Sequence, residues 1–141
     1  METYVLDASV AVKWYVVEQD RERAREWLVS SETQFTAPDL LFPEVANVLW
    51  RKVRLGAIDR GQMKAAIADL AEQVGSGVPS ATLLPDAIDL AARIGHSIYD
   101  CVYLALARRE GTRLLTADER FIAKLSGPES SDIVDLRLAS P

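Results

Sequence analysis

The sequence is poor in the residues that build disulfide-bonded or zinc-binding proteins, with one cysteine and one histidine among 141 residues. A single cysteine excludes an internal disulfide framework and a cysteine-rich zinc site, and a single histidine excludes sites with several imidazole ligands. Long hydrophobic runs are also lacking, since the apolar segments are too short and too interrupted to span a bilayer. The first residues lack the basic segment and apolar stretch of a signal peptide. We therefore expect a soluble, cytoplasmic protein without membrane association.

The chain has no excess of positive charge either. Its 16 Lys and Arg against 21 Asp and Glu give a net charge of −5. Proteins that coat nucleic acid are normally basic, so any nucleic-acid binding here requires a local basic patch or bound cations. Apolar residues make up 49% and charged residues 26%, which is typical of a globular protein. The length predicts one domain over residues 1–141.

Short β-like runs alternate with helical segments, which predicts an α/β fold. The predicted strands cover residues 3–6, 34–36, 80–84, 113–116 and 132–136. The predicted helices cover residues 8–17, 21–29, a segment ending near 55, 60–73, 85–94, 98–109 and 119–125, and residues 126–131 are predicted as a loop. Strands joined through helices are normally parallel, with right-handed crossovers. We expect a parallel sheet of four or five strands with helices on both faces.

Local signals mark several helix ends. Asp20 is a candidate N-cap of the second helix, and Asp59 with Gln62 matches a capping box. Gly56 and Gly95 follow apolar helical segments, where a glycine commonly ends a helix.

Four acidic residues stand out by their positions. Asp7 directly follows the first predicted strand, and Asp118 follows the predicted strand 113–116. Ligands bind at the carboxyl ends of the strands in such sheets. Glu44 lies at the edge of an apolar helix face, and Asp100 is the only carboxylate in an otherwise apolar helical run. Each also has a local interpretation, because the three Asp residues could cap helices and Glu44 could be an ordinary helix-edge carboxylate.

A shared metal site explains the four residues together. A carboxylate in apolar surroundings costs free energy unless it is paired, and converging carboxylates repel one another. A hard divalent cation removes both costs, because Mg²⁺ and Mn²⁺ prefer oxygen ligands. The predicted ligands of Mg²⁺ or Mn²⁺ are Asp7, Glu44, Asp100 and Asp118.

Four segments resemble, in order, the acidic motifs of the PIN-domain family. They are YVLDASVAVKW from residue 4, PEVANVL from residue 43, YDCVYLALA from residue 99 and LLTADERF from residue 114. The match spans nearly the whole chain. The residues of the four motifs are most similar to those of VapC toxins, which belong to toxin–antitoxin pairs.

The resemblance implies a PIN-like three-layer sandwich around a parallel sheet and a metal-dependent endoribonuclease activity. It makes the four acidic residues the catalytic metal ligands, with Asp7 and Asp100 among those that bind the cofactor. A cation held there would activate a water for in-line attack on phosphorus. Ser9 and Thr116 fall where the family often has hydroxyls, and they are expected to orient the carboxylates. The implied partners are an RNA substrate, a cognate antitoxin and a second copy of the chain in a homodimer.

Two other functions are weighed against this one. A phosphotransfer domain of the haloacid-dehalogenase type would have a second Asp where Ser9 stands, and a receiver domain would have a Lys on a late strand, whereas Lys124 falls in a predicted helix. A non-catalytic PIN-like binding module is the alternative within the family, and such modules typically lose acidic positions that are all present here. Metal-dependent RNA cleavage would distinguish the endoribonuclease from this non-catalytic module.

The remaining reactive or basic side chains have ordinary structural interpretations. His96 is interpreted as a helix-end or surface residue, and Cys101 as a buried, inert thiol. Nine basic residues are candidates for phosphate contacts, although a solvated surface charge is the usual role of each. They are Lys13, Arg51, Lys52, Arg54, Arg93, Arg108, Arg109, Arg113 and Arg120.

Overall fold

A parallel sheet of four strands is the centre of the computed structural model, which describes residues 1–141. The strands are β1 (Glu2–Leu6), β2 (Thr33–Thr36), β3 (Arg113–Thr116) and β4 (Ile133–Asp135). The α-helices are α1 (Ala8–Ala11), α2 (Arg21–Val29), α3 (Leu41–Arg54), α4 (Arg60–Val74), α5 (Leu84–Ile94), α6 (Ile98–Arg109) and α7 (Glu119–Lys124). Short 3-10 helices cover Val12–Trp14, Ser80–Leu83 and Gly127–Asp132.

The strand order β2-β1-β3-β4 places the first strand inside the sheet. Val5 of β1 lies opposite Thr36 of β2 on one side and opposite Leu114 of β3 on the other. All three pairings are parallel, with helices between consecutive strands, so the predicted α/β fold is confirmed. Because β1 and β3 are parallel neighbours, their carboxyl ends lie side by side at one edge of the sheet.

One hydrophobic cluster of 35 buried residues forms the core. Helix α6 contributes every residue from Cys101 to Ala107 to it. That extensive burial explains why its sequence is apolar on nearly every side. None of the helices combines the length and the apolar character needed to cross a lipid bilayer.

Most helix boundaries follow the local signals. Helices α2 and α6 have the predicted bounds. The capping box of α4 is confirmed, because Asp59 and Gln62 exchange two hydrogen bonds of 2.8 Å. Asp20 occupies the predicted N-cap position of α2, but its backbone is left-handed at φ 64° and its side chain makes no capping hydrogen bond. An N-cap side chain normally reaches the free N–H groups of the helix from extended backbone.

The predicted strand 80–84 is wrong, because Ser80–Leu83 is a 3-10 helix that leads directly into α5. Ser80 donates from its backbone N–H and its hydroxyl to Asp39 Oδ1, at 3.0 and 2.6 Å. The Thr82 hydroxyl donates to the carbonyl of Pro79 at 2.7 Å. These bonds turn the backbone, and the sheet therefore has four strands rather than five.

Two other segments also differ from the prediction. The helix expected over residues 8–17 is shorter, because α1 ends at Ala11 and a 3-10 helix ends at Trp14. The indole of Trp14 is buried and donates to the carbonyl of Ala24 at 2.9 Å, which anchors the chain where it leaves the helix. Of the expected loop 126–131, residues 127–131 lie in the 3-10 helix Gly127–Asp132, and Ser126 precedes that helix.

We expect Gly77→Ala to destabilise the fold strongly. Gly77 has φ +87°, and an added Cβ would lie 2.7 Å from Asp39 Cα and 2.9 Å from Asp39 N. Because both contacts are backbone atoms, the chain must move, and the free energy of unfolding should fall by about 2–4 kcal/mol in urea titrations. Gly95→Ala is the matched control, since φ is +73° there and no atom lies within 4 Å of the added Cβ. The free energy of unfolding of Gly95→Ala should fall by only about 1–2 kcal/mol. Equal losses in the two variants would contradict the steric argument.

Candidate active site

The four acidic residues lie at the ends of elements that meet at the carboxyl edge of the sheet. Asp7 directly follows β1, and Asp118 follows β3 and precedes α7. Glu44 lies in the first turn of α3, and Asp100 lies in the first turn of α6. The negative charges of the other three residues all raise the pKa of Glu44, so the four carboxylates form one electrostatic cluster.

Asp7 is a buried carboxylate that is only 6% exposed. Its Oδ2 accepts hydrogen bonds from the Ser9 N–H at 3.2 Å, from the Ser9 hydroxyl and from the Thr116 hydroxyl at 3.1 Å. Burial raises the pKa of Asp7 to about 6, the Ser9 and Thr116 bonds oppose that rise, and the charge of Asp100 adds to it. All three bonds go to Oδ2, which leaves Oδ1 for another partner.

The hydroxyls of Ser9 and Thr116 also join the two loops at this edge. The Ala117 N–H donates to Ser9 Oγ at 3.0 Å, and the Asp118 N–H donates to Thr116 Oγ1 at 3.1 Å. Thr116 is fully buried. Each hydroxyl therefore donates a hydrogen bond to Asp7 and accepts one from the backbone that follows β3. Such bonds can hold the Asp7 carboxylate in one orientation.

Asp118 and Asp7 both cap helices, so the local interpretation of these residues is also correct. Asp118 Oδ1 accepts from the Phe121 N–H at 3.1 Å at the start of α7. Asp7 does the same for α1 through its bond from Ser9. Capping occupies one oxygen of each carboxylate, so it does not compete with a role for the other oxygen.

Glu44 is the least satisfied member of the cluster. Its Oε1 is buried without a hydrogen-bond partner, and the buried Tyr103 hydroxyl nearby also lacks a bond of normal geometry. Burial raises the pKa of Glu44 to about 7, the neighbouring Tyr103 hydroxyl opposes the rise, and the other three carboxylates add to it. An unpaired buried carboxylate oxygen is costly and rare in folded proteins.

Asp100 pairs with the one histidine of the chain. His96 Nε2 lies 2.6 Å from Asp100 Oδ2. Burial raises the pKa of Asp100, the hydrogen bond with His96 lowers it, and the charge of Asp118 raises it again. The helix is capped by Ser97, whose hydroxyl accepts from the Tyr99 N–H at 3.2 Å, so the interpretation of Asp100 as a helix cap is wrong.

His96 was not grouped with the acidic residues from the sequence. It follows Gly95 at the end of α5, as the helix-end interpretation predicts, but its side chain is only 14% exposed and contacts Asp100. The four-residue spacing between His96 and Asp100 was the available signal, because residues four apart near a helix can contact each other. The spacing by itself does not show that the ring turns toward the site.

The chemistry of the donor set fits a hard divalent cation. No Lys or Arg forms an ion pair with Asp7, Glu44, Asp100 or Asp118. The available donors are carboxylate oxygens, including the unpartnered Oε1 of Glu44, and such donors suit Mg²⁺ or Mn²⁺. As the side chains lie, no three His, Cys, Asp or Glu residues are close enough to hold one metal ion together. Repulsion between ionised carboxylates disfavours a tighter arrangement until a cation neutralises it.

The basic candidates divide into paired and free side chains. Five of them are engaged elsewhere: Lys13 with Glu18, Arg93 with Glu129, Arg108 with Asp132, Arg113 with Glu2, and Arg109 with Thr82. The other four form no ion pair: Arg51, Lys52 and Arg54 in the last turn of α3, and Arg120 in α7. Of these four, Arg120 lies nearest in sequence to the acidic cluster, two residues after Asp118.

Cys101 follows Asp100 but faces the core. It is fully buried, and burial raises the pKa of its thiol to about 11. A thiol that stays protonated is a poor nucleophile.

Comparisons with known proteins agree with the motifs and with the fold. The family model described as the PIN domain matches residues 4–125, a range that includes all four acidic residues. The chain is 37% identical over 122 residues to Ribonuclease VapC3 of Pyrobaculum aerophilum, covering 85% of this chain and 92% of that protein. It is 31% identical over 98 residues to Exonuclease VapC9 of the same organism, covering 69% and 71%. The crystal structure of PAE2754 from Pyrobaculum aerophilum has a TM-score of 0.70 at 23% identity, covering 96% of this chain and 84% of that one, which shows a common fold.

Proposed function

Because this chain belongs to the PIN-domain family and is a relative of VapC nucleases, we propose that it is a Mg²⁺- or Mn²⁺-dependent endoribonuclease and the toxin of a toxin–antitoxin pair. The observation that carries the proposal is the cluster of four interacting carboxylates at the carboxyl edge of the sheet, which no Lys or Arg neutralises. A divalent cation would neutralise the repulsion between these carboxylates.

The residues of the chain have distinct roles in this proposal. The cation would be held by Asp7, Glu44, Asp100 and Asp118. A divalent cation supplies Lewis acidity, which activates a water for in-line attack on phosphorus and stabilises the charge that develops on the leaving oxygen. Ser9 and Thr116 hold Asp7 through Oδ2, so that its carboxylate keeps one orientation before the substrate arrives.

An acidic protein also needs groups that accept RNA. Arg120, near the acidic cluster, and the basic last turn of α3 form no ion pair and are available for phosphate oxygens. Tyr99 is 63% exposed beside Asp100, where its ring can stack on an unpaired base.

The proposed partners are an antitoxin and a second copy of the chain, in the cytoplasm. An apolar groove of about 390 Å³ is lined by Trp50 of α3 and by Met63 and Ile67 of α4, with Arg60 and Lys64 beside them. Trp50 is 44% exposed there. Grooves of this kind accept the apolar face of an amphipathic helix, which is the expected form of an antitoxin segment. A monomeric mass in solution without antitoxin would contradict the homodimer.

Cleavage of a circular RNA tests the proposed activity, because a circle has no ends for an exonuclease. In Mg²⁺ or Mn²⁺ we expect discrete cuts in the circle, and EDTA should abolish them. Asp100→Asn should lower the rate by on the order of 100-fold or more, since loss of even an outer partner of a metal costs about 10- to 100-fold. The matched control is Asp86→Asn, which changes an exposed carboxylate of α5 and should leave cleavage unchanged.

The outcomes separate the alternatives. Trimming of linear RNA from its ends, with the circle intact, would mean an exonuclease. A folded protein that neither binds Mn²⁺ nor cuts any RNA would leave only a non-catalytic binding module.

A further inference from the structure

The single histidine of the chain joins two of the acidic residues. His96 Nε2 lies 2.6 Å from Asp100 Oδ2. On its other side the imidazole packs against the Phe121 ring, with centroids 5.0 Å apart and planes at 40°. Phe121 is a buried residue of α7, and its N–H donates to Asp118 Oδ1 at 3.1 Å. His96 therefore forms a hydrogen bond with Asp100. Through its ring it also packs against α7, the helix that Asp118 caps.

The direction of the hydrogen bond follows from the partner. An ionised carboxylate has only acceptors, so the imidazole nitrogen at 2.6 Å must carry the hydrogen. This bond occupies Oδ2 of Asp100 and leaves Oδ1 for a cation. Hydrogen bonds of this kind, between a metal ligand and an outer partner, hold the ligand in one orientation.

We propose that His96 is a positioning residue, whose Nε2–H fixes the orientation of the Asp100 carboxylate while its ring packs against Phe121 of α7. The inference rests on the proposed function, because it concerns the same metal site. Without the donor, the Asp100 side chain regains rotamer freedom that metal binding must then remove.

Two substitutions separate the donor from the ring. His96→Phe keeps an aromatic ring against Phe121 but has no N–H donor. His96→Gln keeps an N–H donor at a similar distance from the backbone but has no ring. The readout is the affinity for Mn²⁺ measured by calorimetry at one pH on RNA-free protein, with RNA cleavage and thermal unfolding as further measurements.

We expect His96→Phe to bind Mn²⁺ about 10- to 100-fold more weakly than the wild type, the loss typical of an outer partner. Its cleavage should recover as Mn²⁺ is raised. His96→Gln should bind Mn²⁺ within a few-fold of the wild type, because the donor is kept. If His96→Phe does not unfold cooperatively, His96→Leu provides the same comparison without a donor.

Each outcome decides one proposal. Wild-type affinity in the donor-free variant would overturn the role of His96. Equal losses in the Gln and Phe variants would show that the imidazole itself, not an N–H donor, is required, and would also overturn the inference. A wild-type protein that does not bind Mn²⁺ would instead overturn the proposed function, and the two failures are therefore distinguishable.

Discussion

Asp7→Asn is expected to abolish metal-dependent RNA cleavage and, at the same time, to stabilise the metal-free protein at pH 8. The carboxylate is buried at 6% exposure and has no cationic partner. Its pKa rises from 3.8 to about 6 on folding, so keeping it ionised at pH 8 costs stability. Two pKa units correspond to about 3 kcal/mol, and Asn loses part of the bonding with Ser9 and Thr116. A net gain of about 1–3 kcal/mol is expected.

The pH dependence of that gain has a definite sign. The folded-state pKa of Asp7 lies above the unfolded value, so the wild type loses stability as pH rises from about 4 to about 6 and loses no more above it. Urea unfolding in EDTA should therefore show the Asn variant more stable than the wild type at pH 8, with a smaller difference at pH 4. The exposed Asp86→Asn should show no such pattern. A variant less stable than the wild type at pH 8 would mean that the hydrogen bonds to Asp7 outweigh its burial.

The affinity for Mn²⁺ is expected to rise by about 1000-fold between pH 5 and pH 8. Protons compete with the cation for the carboxylates, and the pKa values of Asp7 and Glu44 are about 6 and about 7. At pH 5 binding must displace a proton from each, whereas at pH 8 both are already ionised. The affinity should therefore level off above about pH 7.5.

Calorimetry in buffers with different heats of ionisation counts the released protons directly. Glu44→Gln removes the group with the higher pKa. The variant should bind Mn²⁺ more weakly, and its affinity should stop rising near pH 6.5 rather than 7.5, a shift of about one unit. A pH-independent affinity from pH 5 to 8 would exclude Asp7 and Glu44 as ligands.

The sequence predicts best where neighbouring residues decide the structure. The capping box of Asp59 and Gln62 formed as expected, because both partners lie within one helical turn. Helix α6 has the predicted bounds, since an apolar run ending before Gly111 has few alternatives. The residues 80–84 show the limit of such signals. Their β-like composition is overruled by Asp39, about forty residues away, which bonds to Ser80.

The same distinction between local and tertiary effects applies to the four acidic residues. Their identity and their places at strand ends and helix starts follow from the sequence, since a carboxylate in an apolar run or after a buried strand is visible locally. Their electrostatic coupling depends on strand order, which puts β1 beside β3 and so brings Asp7 to Thr116, 109 residues away. The proposed role of His96 depends on the orientation of its ring, which packs against Phe121 and bonds to Asp100.

The sequence by itself determined which side chains can carry the chemistry, the types of most elements and the ends of many. Only the tertiary structure decided how buried Asp7 and Glu44 are, how far their pKa values rise, and which oxygen is left without a partner. The physical reason is that burial and charge coupling are properties of groups that fold together from distant positions, whereas caps and helical periodicity act within a few residues.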